Sequence, residues 1–127
     1  MDAKRINRGD IAQAMQMLNP DIIQKKYKIN GDVATDSDAS CRYSVPGVEN
    51  GAPACVGGAL IALLDPLYFA QIRTEGTAIA GLPDVYEHFD LDAVDLLERM
   101  QQLADGRVGN KQYPWGEAYT LAALSLS

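Results

Sequence analysis

At 127 residues, 47% of them hydrophobic and 22% charged, the chain has the size and composition of one ordinary globular domain, which excludes a disordered or membrane class and any need for a metal or disulfide staple. The net charge of −6, from 17 acidic and 11 basic residues, comes with no basic cluster beyond Lys25-Lys26-Tyr27-Lys28; this excludes binding of nucleic acid through its phosphates, and the carboxylates are too sparse for a mimic of DNA. The longest apolar run, Ala52 to Leu64, has thirteen residues and two glycines, short of the roughly 18 to 20 that span a bilayer.

The opening Met1-Asp2-Ala3-Lys4-Arg5-Ile6-Asn7 carries no apolar leader core, which predicts a cytoplasmic protein whose two cysteines stay reduced. Residues 9 to 19 place Ile11, Ala14, Met15 and Leu18 at helical spacing, with Asp10 as N-cap and Asn19-Pro20 as the stop. Tyr27 and Ile29 then alternate into Asn30-Gly31, the strongest short hairpin signal, with Val33 beyond it. Asp36 to Ser40 reads as a turn. Cys41, Tyr43 and Val45 alternate with Arg42 and Ser44 as a third short strand.

Pro46 to Gly51 is a loop, and Pro53 suits the first turn of a helix, where its missing N–H costs nothing. That helix runs to Leu64, is nearly all apolar, and is expected to be central and buried. Gly57 and Gly58 within it cost about 1 kcal/mol each relative to alanine, a penalty kept for close packing or function. Asp65-Pro66 ends it, a short helix follows over Leu67 to Arg73, and residues 74 to 89 give no clear pattern beyond a helical turn before Phe89. Asp90 then caps a helix of Leu91 to Ala104, with Ala93, Val94, Leu97, Met100 and Leu103 as its apolar stripe. Asp105-Gly106 stops it. After the loop to Pro114, Trp115, Ala118, Tyr119 and Ala122 line a final helix, with Trp115 as a core anchor whose polar N–H also suits an interface.

The chemical motifs are incomplete. Cys41 and Cys55 lack the paired spacing of a zinc site, and the single histidine, His88, is remote from both in sequence. Asp36-x-Asp38-x-Ser40 opens like a calcium loop, but Cys41 stands where glycine is required and Gly47 where glutamate is required. Gly57-Gly58 lacks the lysine and hydroxyl of a phosphate loop. Cys55 fares better, because a helix start stabilises a thiolate, yet it has no linked base, and in Ala54-Cys55-Val56 a thiol is usually a small buried hydrophobe.

Taken in order, Asn19-Pro20-Asp21, Cys41-Arg42-Tyr43, Gly51 to Leu60, the helix from Asp92, and Pro114-Trp115-Gly116-Glu117-Ala118 form a pattern. It resembles a family of small uncharacterised proteins of actinobacterial bacteriophages and prophages, over about residues 19 to 120. The resemblance implies a phage product working in a bacterial host cytoplasm, and carries no assigned activity.

The expected fold is α+β: a mostly helical single domain over residues 1–127, with a small two- or three-stranded antiparallel sheet in its first half. The expected function is that of a non-enzymatic accessory protein binding a host protein or a second copy of itself, without cofactor, metal, nucleic acid or membrane. Cys41, Tyr43, Cys55, Gly57 and Trp115 are the candidate functional or interface positions. Two other readings compete with it. One is a small thiol enzyme or redox protein centred on Cys55 with Cys41 as partner; the other is a protein that sequesters a host nucleotide signal, which needs basic side chains converging on a pocket and which the scattered Arg42, Arg73 and Arg107 neither support nor exclude.

Overall fold

The computed structural model describes residues 5–23, 26–27, 33–34, 43, 53, 55–73, 75, 78–109 and 111–126. Among these residues the architecture is helical: α1 (Arg8–Met15), α2 (Val56–Leu64), α3 (Pro66–Ile72), a 3-10 turn (Ile79–Gly81), α4 (Val85–His88), α5 (Leu91–Asp105) and α6 (Trp115–Ser125).

The expectation of an α+β fold is therefore corrected. Every buried side chain described lies on a helix, at a helix cap, on a connecting turn or, for Tyr43, on a bend. Antiparallel pairing joins Lys26–Tyr27 to Val33–Ala34 over two residues a side, and an isolated parallel bridge joins Ile6 to Phe89. Pairing of that extent is well below the three or more strands that make an independently stable sheet, and it supplies no layer for helices to pack on. Of the predicted third strand, Tyr43 alone is described, and it sits in a bend. Tyr43 is buried, with its backbone against Gly58 of α2, and Cys41 and Val45 lie outside the described residues.

Helix α5 organises the rest. Its stripe of Ala93, Val94, Leu97, Met100 and Leu103 is buried, widened by Leu96 and Ala104, and α5 packs against α6, α2, α1 and the 3-10 turn. Gly106 ends it in the left-handed conformation at φ 86°, where a side chain would be strained. Helix α2 is buried continuously from Val56 to Ile61, as befits an apolar segment held between α1, α3 and α5. Burying a side chain such as Leu60 or Ile61 contributes about 1.5–3 kcal/mol.

Two helix starts differ from those predicted. Asn7 caps α1, its side chain accepting from Asp10 N–H at 2.9 Å while Asp10 accepts from Asn7 N–H at 3.0 Å, so Asp10 completes a capping box as the third residue of the helix. Helix α2 begins at Val56, three residues after Pro53, because Cys55 stays extended (φ −138°, ψ 167°) and caps it. Asp65 breaks the path between α2 and α3, and Pro66 opens α3, where its lack of an N–H is harmless.

Candidate functional site

The start of α2 gathers three of the five candidate positions. Cys55 is fully buried, and its sulfur accepts the Gly58 N–H at 3.3 Å. Gly57 N–H donates to Gln101 Oε1 of α5 at 3.0 Å. Gly58 is required by the close approach of Tyr43: a β-carbon there would collide with the Tyr43 carbonyl oxygen. The two glycines therefore bring a bend and a neighbouring helix against α2. Their N–H groups are both spent on protein acceptors, which removes the main donors a phosphate would use at this helix end.

Electrostatics at this junction oppose thiolate chemistry. Cys55 is a free thiol whose pKa burial pushes up to about 12, outweighing the hydrogen bonds from Gly58, Gln101 and Gly57 that favour the anion. Nearby Asp105, buried and ion-paired with Arg107 at 3.3 Å, adds to the rise. Burial likewise raises the Tyr43 phenol above the ordinary tyrosine range, reinforced by Cys55 and Glu98.

His88 lies at the other end of the helix. Its Nδ1 is 2.9 Å from Asp65 Oδ2, and Asp65 is ten residues on from Cys55, about 15 Å along a helical axis. The chain's one histidine is thus not placed to act as base for Cys55. The thiol is sealed, and its surroundings are those of packing.

Trp115 belongs to a third place. It is buried at the start of α6, where its backbone N–H donates to Ile22 carbonyl oxygen and Gly116 N–H to Pro20 carbonyl oxygen, both at 2.9 Å. A β-carbon on Gly116 would come 2.5 Å from Pro20 Cβ, so the glycine lets α6 abut this turn. The indole is a core anchor.

Sequence reasoning missed the polar cluster at the α2–α3 break. Asp65 Oδ1 accepts Tyr68 N–H at 3.1 Å, while Oδ2 meets His88. The Tyr68 and His88 rings stack with centroids 4.1 Å apart, and Tyr68 Oη donates to Pro83 carbonyl oxygen at 2.5 Å. Burial first, then Asp84, Asp65 and Glu75, raises the Tyr68 phenol to about 12. The ring is thus held by both Asp65 and Tyr68, while the His88 side chain keeps 32% of its surface exposed. The Asp65-Pro66 dipeptide signalled the end of α2 but not that Asp65 caps α3. The ring partner, 23 residues away, left no mark in the sequence.

Among the described residues no group of three or more His, Cys, Asp or Glu side chains could hold a metal ion, and no helix is long and apolar enough to cross a membrane. No protein family, curated protein or solved structure matches the chain.

Proposed function

We propose that this is a non-enzymatic protein that works by binding another polypeptide, a host protein or a second copy. The observation that carries the reading is a division of chemistry. The cysteine that could react is closed in the core, its neighbouring N–H groups are spent, and large apolar side chains such as Leu63, Leu67 and Leu91 stand in water. Apolar side chains left exposed near one another, rather than singly, mark an interaction site. The resemblance to phage-encoded proteins supplies the setting, a bacterial host cytoplasm.

The test uses the tagged full chain. Its mass in solution shows self-association, and retention of polypeptides from an actinobacterial lysate, challenged with excess untagged chain, shows specific capture. Self-association, or capture that the competitor displaces, is the expected result. A monomeric mass together with no competitor-sensitive capture overturns the proposal.

A further inference from the structure

We infer that the surface around the Asp65–His88 pair docks a basic amphipathic segment of another protein, one that presents aliphatic side chains together with Lys or Arg. The inference rests on the binding reading above and adds the face and the chemistry of the partner.

Two observations converge on this face. Four of the exposed large apolar side chains, Leu63, Leu67, Tyr86 and Leu91, lie within three residues of Asp65 or His88, whose side chains meet at 2.9 Å. Three residues of chain reach at most about 11 Å, so the backbone at each of the four lies close to this polar pair. Leu67 is 81% exposed and Leu91 61%, far beyond what either gains by packing on its own helix. Apolar side chains left in water beside a half-buried polar pair offer a partner both apolar area and hydrogen-bonding groups, the two things a docking surface combines.

The second observation is charge. Residues 63–98 hold eight of the 17 acidic residues and, apart from His88, one of the 11 basic ones, a formal −7, which leaves +1 for the rest of the chain. None of the eight carboxylates is buried. The net negative charge therefore lies in the same segment as Leu63, Leu67, Tyr86 and Leu91, and a positively charged partner is its complement.

The charge also narrows the occupant. No three of the described carboxylate, thiol and imidazole groups converge as a metal site, so an extended cationic chain suits this surface better than a single ion. A second copy carries the same −7 segment and the same net −6, so two copies repel each other more than they complement. A nucleic acid would be repelled.

The proposal is tested by titrating the full chain with three labelled peptides of about 18 residues, long enough for several turns of amphipathic helix: Leu/Lys, Leu/Glu with the same leucine pattern, and Ser/Lys with the same charge. The Leu/Lys peptide alone should bind, and more weakly as salt rises. Leu67→Ser with Leu91→Ser should weaken that binding about fivefold or more, whereas Met17→Ser should leave it unchanged. All three positions are exposed, and thermal melts confirm that the variants fold. Equal binding of the Leu/Glu or Ser/Lys peptide, wild-type affinity in the double variant, or no peptide binding overturns the proposal. If competitor-sensitive capture succeeds while these peptides fail, the face and its partner chemistry are wrong and the binding reading stands; if both fail, both fall.

Discussion

His88 Nδ1 stands 2.9 Å from Asp65 Oδ2 while Asp65 Oδ1 accepts the Tyr68 N–H at 3.1 Å, so one carboxylate both caps α3 and holds α4. Asp65→Ala removes both bonds and should destabilise the fold by about 1–2 kcal/mol. Asp65→Asn keeps a capping acceptor and should cost less. Because His88 also stacks on Tyr68, His88→Ala should be destabilising in its own right, and the double variant should fall short of the sum by about 0.5–1 kcal/mol. Chemical denaturation of the four proteins checks this. Strict additivity would mean that the pair contributes nothing as a pair.

The two glycines of α2 should respond differently to alanine. At Gly58 the added carbon meets the Tyr43 carbonyl oxygen and flanking backbone atoms, which cannot yield without moving the bend. At Gly57 it meets Ile79 Cδ1 at 2.9 Å and Gln101 Oε1 at 3.1 Å, both ends of side chains that can turn aside. Gly58→Ala should cost about 1–3 kcal/mol or more, the range of overpacked cores, and Gly57→Ala clearly less, since helical propensity favours alanine. Thermal melting of the two single variants gives the order.

What was legible in the sequence follows the range of the forces involved. The stripe from Ala93 to Leu103 repeats over about three turns, so α5 was visible, as was the buried run that became α2. The start of α2 was misplaced because Pro53 is a strong local signal, while the cap that wins is an extended cysteine whose sulfur meets Gly58 N–H. The sheet was overestimated because a short alternating run such as Cys41, Tyr43 and Val45 suggests a strand whether or not a partner pairs with it, and Tyr43, the one of the three described, sits in a bend. Glycine spacing correctly suggested a close approach at α2, but could not say that Tyr43 and Gln101 supply its partners. Contacts between residues far apart in the chain, His88 with Asp65 and Gly57 with Gln101, depend on how the helices assemble.

The buried thiol predicts a pH dependence with a definite sign. Cys55 has an ordinary pKa near 9, and burial pushes it up to about 12 in the folded protein. Between those values the unfolded chain has released its proton and the folded chain has kept it, so raising the pH favours unfolding. Stability contributed by the protonated thiol is full below about pH 9 and is lost as the pH climbs toward 12, with a slope of about 1.4 kcal/mol per pH unit at most from this group. Tyr68, raised from 10 to about 12, acts in the same direction over the upper part of that window. Denaturation midpoints at rising pH should therefore fall from about pH 9, and Cys55→Ala should flatten the early part of the fall, though it starts from a lower stability. In a Cys41→Ser background, alkylation of Cys55 near neutral pH should be slow in the native protein and become fast in denaturant. Rapid native alkylation would show an open thiol, and would favour the competing reading of a thiol enzyme.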